Sequence, residues 1–428
     1  MDKLNILILH QMGDPLKWRV AVRDIEYMLP DNLPEHNYLV HAADLPMPGF
    51  VKELKFDLII LGSTFLDNRY LPHRMKFILS EYDFVRESSA VKIALPQDDY
   101  DCSEILDDWL AGWNMDIVYT VCPEYWDVLY PKNNLRKKIQ LAYTGYISDS
   151  WLKNWSNPRP HSDRLIDVSY RASKLPPYFG RIGDIKGKFG EIFSKVTAGA
   201  GLRLDISTSE KDFIPGHKWH QFMESSISCL VTNSGSSLHD PRGDIRRAVK
   251  AYLQKFPDAD FNDVEKACFS GKDGIYEFTA LSPRNIEAAL AKTVQIAIPG
   301  SYSGVLKSHD TYIPLKADAS NIREVLEVLR DPTRLEIIAE RCRQAILDFS
   351  SLRASIRANE IIEDAAKIAA SKNIIKEKSE VMSKAIVRYK QQINEDDFWE
   401  RRRLQLKLKT IAAKLGAGYI RRALTGLR

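Results

Sequence analysis

The sequence predicts an α/β protein of two successive Rossmann-like units, each with a parallel sheet, followed by a helical extension. Three observations predict it. Short apolar runs alternate with longer amphipathic stretches, as βαβ units require. The alternation breaks once, at a polar segment holding Asn157, Pro158 and Pro160, and then resumes. No strand-like run follows residue 350.

In the first unit, residues 5–9, 56–61, 91–95 and 116–120 are apolar almost throughout, the pattern of strands covered on both faces. Helical periodicity lies between them, at 20–29 and 71–86. In the second unit the runs at 166–170, 203–206, 229–232, 293–298 and 312–314 read as strands. Helical patterns at 188–198, 244–255, 286–291, 322–330 and 335–347 separate them. The reading places an N-terminal domain at 1–155, a second domain at 156–350 and the extension at 351–428.

Composition narrows the class. With 44% hydrophobic and 28% charged residues, the chain has material for a core of normal size and no need of disulfides or a structural metal. Its five cysteines are scattered, with no CxxC pair, so neither a disulfide framework nor a zinc site is expected. The apolar run at the N-terminus is too short for a signal peptide, and no run approaches the roughly 20 residues of a membrane span. Reduced thiols and a cytoplasmic location follow as expectations. Charge is uneven: from Arg401 onward there are nine Lys/Arg and no Asp/Glu, against a net +4 for the whole chain. The body is therefore net acidic, which argues against nucleic acid as a partner.

Ligands of open α/β sheets bind beyond the carboxyl ends of strands, so the candidates are the residues that follow each run. In the first unit these include His10, Asp14, Asp98 and Asp99. In the second unit, Arg171 ends the first run, and Gly180, Gly183 and Lys186 lead into a helix whose free N–H groups suit an anion. Ser234 and Gly235 form a small-residue loop after the third run. Ser282, Pro283, Arg284 and Glu287 open a helix, Pro283 being pre-set for its first turn. Tyr302, Ser303 and Gly304 form a further loop. Asp258 and Asp260 spell Asp-x-Asp but lie between helices, where a plain turn is the simpler reading.

These residues carry a resemblance. Tyr170 and Arg171 with Pro176 and Pro177, Ser234 to Ser237 with Asp240 and Gly243, Ser282 to Arg284 with Glu287 and Ala288, and Tyr302 to Gly304 with Tyr312 resemble GT-B glycosyltransferases of the broad family-one and CgeB-like groups. The resemblance covers residues 160–330 well and the first domain weakly. It implies a GT-B architecture, two parallel sheets facing a cleft. It also implies that Glu287 holds the donor ribose, that Arg171 and Lys186 meet the diphosphate, and that Ser234, Gly235, Ser282, Arg284, Tyr302, Ser303 and Gly304 line the donor site. Position 279, where a two-glutamate motif would carry its first Glu, is Thr, and Glu277 stands two residues too early.

The function expected is transfer of a sugar from a nucleotide-sugar donor to a surface-polysaccharide or lipid-linked glycan, with no metal and no cofactor beyond the donor. His10, Asp98 or Asp99 would supply a base if the reaction inverts. A catalytically silent scaffold and a nucleotide-sugar epimerase or hydrolase are the alternatives. The tail at 399–428, with Leu404, Leu408, Ile411 and Leu415 on one helical face among basic residues, fits an anionic membrane surface. Trp399 and Tyr419 stand near its ends. The expected location is peripheral on the inner face of the cell membrane.

Overall fold

A computed structural model describes residues 3–132, 138–214 and 217–414. The first sheet contains β1 (Asn5–His10), β2 (Asn37–Ala42), β3 (Leu58–Leu61), β4 (Val91–Ala94), β5 (Ile117–Thr120) and β6 (Ile139–Leu141). Its strands are all parallel, in the order β2-β1-β3-β4-β5-β6. The second half holds β7 (Ile166–Arg171), β8 (Leu204–Ser207), β9 (Ser226–Val231), β12 (Val294–Ala297) and β13 (Ile313–Pro314), ordered β13-β12-β9-β7-β8 and again parallel. Between them a short antiparallel pair joins β10 (Ser234–Ser236) to β11 (Phe278–Ala280).

Each sheet thus begins second-first-third, which puts a switch point between β1 and β3 and another between β7 and β9. Crevices open at such points because the connections leave to opposite faces there. Both sheets are driven by continuous burial: every residue of β1, β3, β4 and β5 is buried.

Four strands lie outside the sequence reading. β2 mixes polar with apolar residues, and its polar side chains are satisfied internally. Asn37 donates to the Asn5 amide oxygen at 2.8 Å, and His41 sits between the hydroxyls of Tyr82 (2.9 Å) and Tyr389 (2.8 Å). β6 has only three residues. β10 and β11 exist because Gly235 lets two backbones meet: a Cβ there would lie 1.8 Å from the Phe278 carbonyl oxygen.

The extension returns to the first half. The helix Ala354–Ala369 places Asp364 on the Tyr119 hydroxyl at 2.8 Å, and the helix Ser379–Gln392 buries Met382 and Tyr389 against the first sheet. The outgoing and returning segments run side by side, Ile147 N–H to Leu352 C=O at 2.7 Å and Ala354 N–H to Ile147 C=O at 3.0 Å. The last helix, Glu395–Lys414, is tied to the body by Arg403 on Asp14 at 2.7 Å. Beyond that bond Leu404, Leu408 and Ile411 are exposed. Trp399, near the start of the tail, is buried, being only 7% exposed. Leu415 and Tyr419 lie outside the described residues. Among the described residues no helix is long and apolar enough to cross a membrane.

Candidate active site

The carboxyl ends of the two sheets face each other. The loop after β4 meets the segment before the helix Asp244–Lys255, with Cys102 N–H on the Asp240 carbonyl at 2.8 Å and Asp101 ion-paired to Arg246. On the first side the organiser is Arg69, which follows β3 and is fully buried. It donates to the carbonyls of Leu66 (3.0 Å), Gln97 (2.7 Å), Asp98 (3.1 Å) and Asp101 (3.0 Å). These bonds hold Asp98 in a left-handed conformation at φ 51, which costs an L-residue energy and persists only when its surroundings impose it. The Asp98 side chain is exposed in the cleft and accepts from the Tyr100 hydroxyl at 2.6 Å.

Asp99 turns the other way. It is completely buried and accepts from Thr120 and from the Tyr130 hydroxyl, tying together the loops after β4 and β5. Burial pushes its carboxyl upward. His10 is also interior, boxed by the rings of Trp18 and Tyr27, and burial lowers its pKa to about 4. Neither side chain opens on the cleft, so the reading of Asp99 and His10 as bases is corrected: both are structural. Asp98 alone of the three faces the cleft.

On the second side, the helix Gly180–Val196 begins where an anion-binding N-terminus was expected. That end is already filled. Arg181 N–H donates to the Asp273 carboxylate at 3.1 Å, and Ile182 N–H donates to the Ser237 hydroxyl at 3.2 Å. Arg171 is equally committed: its guanidinium binds the Asp205 carboxylate at 2.7 Å and the Asp205 carbonyl at 3.0 Å, one strand over. Ser234 and Gly235 are in β10, where the glycine serves strand contact. Ser282 caps its own helix with Asn285, its N–H (2.9 Å) and hydroxyl (2.7 Å) both donating to Asn285 Oδ1. Tyr302, Ser303 and Gly304 form a left-handed turn with φ 44, 53 and 74. There the Tyr302 hydroxyl donates to the Ile298 carbonyl at 2.6 Å and Ser303 Oγ accepts from Leu281 N–H at 3.2 Å. Asp260 caps the helix Phe261–Cys268, accepting from Asp263 N–H at 2.9 Å, which is the turn the spelling suggested.

Three side chains of the second half remain open to chemistry. Lys186, on the second turn of its helix, has no carboxylate partner among the described residues. Burial, helped by nearby Arg284 and Arg19, lowers its pKa to about 8, while Asp98 across the cleft opposes that shift. Arg284 likewise has no ion pair among the described residues and lies against the rings of Trp219 (5.4 Å) and Tyr170 (5.9 Å). Glu287, one turn on, accepts from the Trp219 indole N–H at 2.8 Å, and burial pushes its carboxyl up to about 7. Arg19, Asp98 and Asp24, whose charges act on Lys186 and Glu287, belong to the first half, so both side chains lie near where the two halves meet. Two unneutralised cations beside a carboxylate and an indole suit a phosphorylated, hydroxyl-rich ligand.

No family model matches the chain, and no curated protein does. Solved structures do. An α-glucosyltransferase in complex with UDP and a 13-mer DNA containing an HMU base aligns at a TM-score of 0.50 with 8% identity, covering 85% of this chain and 100% of that one. The chain has the GT-B fold. Anabaena Alr3699/HepE in complex with UDP and glucose (0.46, 11% identity, 85% and 99% covered) aligns less closely with this GT-B chain. So does AviGT4, a glycosyltransferase involved in avilamycin A biosynthesis (0.43, 10%, 86% and 98%).

Several residues of the GT-B cleft escape sequence reasoning. Arg69, Asp67 and Tyr70 come after β3 and the short helix Ser63–Leu66, so a search carried past the strand end through that first helix would have found them. Trp219 lies on a helix and Arg246 on another, far from any strand end, and only the packing of the two halves brings them in.

Proposed function

We propose that this GT-B chain is a metal-independent glycosyltransferase that takes a nucleotide-sugar donor in the cleft between its sheets. The observation that supports the reading is the convergence of Lys186, Arg284 and Glu287, two cations that form no ion pair among the described residues and one carboxylate near Arg284. Glu287 is suited to accept from the two ribose hydroxyls. Lys186 and Arg284 are suited to the diphosphate, whose charge grows as the glycosidic bond to phosphate breaks, so they stabilise the leaving group without a metal. Arg284 takes the place that the sequence offered to Arg171. Asp98 sits across the cleft, where a base would act on an acceptor hydroxyl.

The acceptor in this reading is a polysaccharide or lipid-linked glycan rather than nucleic acid, because basic charge is concentrated in the tail and the body is net acidic. The exposed Leu404, Leu408 and Ile411 among Arg401, Arg402, Lys407 and Lys409 support a tail lying on an anionic membrane at the cytoplasmic face.

The test is turnover. Purified protein is incubated with UDP-, GDP-, CDP-, CMP- and dTDP-linked sugars and a membrane extract, and nucleotide release is followed. Consumption of one donor class supports transfer. Binding of a nucleotide with no donor consumed would favour the silent scaffold, for which Thr279, held in β11, leaves room.

A further inference from the structure

Arg284 and Glu287 stand three residues apart on the helix Pro283–Leu290, so they share one face of it. That helix feeds β12, and the helix His217–Glu224 feeds β9. The two strands lie side by side and parallel, so the two helices run alongside each other and pack together. Trp219, in the first turn of the helix His217–Glu224, therefore meets both side chains. Its indole N–H donates to Glu287 Oε2 at 2.8 Å, and its ring lies 5.4 Å from the Arg284 guanidinium. Glu287 Oε1 accepts from no donor among the described residues, which leaves it for a ligand. Arg284 makes no side-chain hydrogen bond or ion pair among the described residues, so the rings of Trp219 and Tyr170 are what place its guanidinium. Trp219 is braced in turn by the Phe222 ring at 5.6 Å, and the Arg171 guanidinium lies over Phe222 at 4.6 Å. Arg171, held by Asp205, thus ends a chain of packed groups that leads to the carboxylate.

We propose that Trp219 is a positioning residue of the donor site: its N–H orients the Glu287 carboxylate for the ribose hydroxyls, and its ring face orients the Arg284 guanidinium for the diphosphate. A carboxylate with one oxygen tied to a packed indole cannot turn freely, so the other oxygen is aimed before the ligand arrives. Ordering that is done in advance does not oppose binding. The same bond acts on charge. Burial pushes the Glu287 carboxyl up to about 7, and the indole N–H opposes that by bonding the ionised form. The other charged groups acting on Glu287 are Arg284 on its own helix and Asp24 of the first half. From β9, the Cys229 thiol faces it, and burial pushes that thiol up to about 12. Without the N–H, Glu287 ionises at higher pH. The ligand in this proposal rests on the glycosyltransferase reading, whereas the indole contacts do not.

The test uses the full chain in two arms. In the first, the indole N–H resonances of the ligand-free protein are followed by nuclear magnetic resonance from about pH 5.5 to about pH 9.5. One indole is expected to shift with a midpoint near 7 and to stop shifting in Glu287→Gln. This arm needs no Trp219 variant, so it stands even where those variants fail to fold. In the second, calorimetry is run with the nucleoside diphosphate that wild type binds among UDP, GDP and CDP, and with its 2′-deoxy form. Trp219→Phe keeps a ring for Arg284 and removes the N–H. It is expected to lower the preference for ribose about fivefold, the size of one hydrogen bond, and to move the acid limb of binding to higher pH. Trp219→Leu removes the ring as well and is expected to weaken both nucleotides about threefold further. No indole that follows Glu287, or a Trp219→Phe protein with the ribose preference and acid limb of wild type, overturns the proposal. An indole that follows Glu287 in a protein that binds no nucleotide also overturns it, by defeating the donor reading beneath it, so the resonance tells the two failures apart.

Discussion

The two halves wind their sheets alike, yet they treat the cations at their strand ends in opposite ways. In the first half Arg69 is buried and spends its guanidinium on four backbone carbonyls, and the crevice it supports is lined by amides, a carboxylate, aromatic rings and the cations Lys17, Arg19 and Arg246. In the second half Lys186 and Arg284 form no ion pair among the described residues, with Glu287 near Arg284, while the nearby helix N-terminus is filled by Asp273. One order of strands thus supports a crevice where cations mix with a carboxylate, amides and aromatic rings, and a cleft where two cations stand beside one carboxylate. The difference teaches that the fold supplies the place and that a few side chains decide the chemistry.

The largest way to break this comparison is to remove the organiser. Arg69→Met leaves several buried carbonyls without a donor, at roughly 1–3 kcal/mol for each unsatisfied group. A loss of about 3 kcal/mol or more in urea unfolding is expected. A loss within about 0.5 kcal/mol would mean that Arg69 does not hold the loop that carries Asp98.

The next effect separates ribose from phosphate. Where the turnover screen shows that wild type uses a uridine donor, UDP is the probe, and Glu287→Gln is expected to weaken it by about 1–2 kcal/mol, as for a charged hydrogen bond made neutral. It is also expected to shrink the preference for UDP over its 2′-deoxy analogue. Equal losses for both nucleotides would place Glu287 away from the diol.

Titration sharpens the charged side further. Glu287 must be ionised to accept from ribose, so binding strengthens as pH rises through about 7. Lys186 must be protonated to meet the diphosphate, so binding weakens as pH rises through about 8. Calorimetry across pH 5.5–9.5 is expected to show an affinity maximum between those values, falling roughly tenfold per unit on the alkaline side until Lys186 is neutral in the complex as well. An affinity flat over that range would remove both groups from the site.

The smallest effect concerns the cation that the sequence favoured. Arg171→Gln is expected to leave UDP affinity within about twofold, because Arg171 is already held by Asp205. A tenfold loss would restore Arg171 to the ligand and erase the contrast with Arg284.

Which parts were legible follows from the same physics. The strands β1, β3, β4 and β5 announce themselves because burial on both faces leaves continuous apolar runs. β2 does not, since Asn37 and His41 are satisfied by partners far along the chain, Ser379 and Tyr389 among them. Glu287 was legible as a carboxylate one turn into a helix opened by proline. Lys186 was picked out for the helix end beside it, and the structure gives another reason, because Asp273 fills that end from 92 residues away. Arg171 and Arg284 look equivalent in sequence, and only the neighbouring strand, through Asp205, tells them apart. Asp98 and Asp99 are adjacent, yet the left-handed turn that Arg69 imposes sends one into the cleft and the other into the core.

The most direct measurement is calorimetric titration of UDP and of uridine against wild type and the Lys186→Ala, Arg284→Gln double variant. If the two cations form the diphosphate site, UDP binding weakens by about 3 kcal/mol or more, the sum of two charge-assisted hydrogen bonds, while uridine binding is unchanged. Equal losses for UDP and uridine, or no loss for either, would contradict the account.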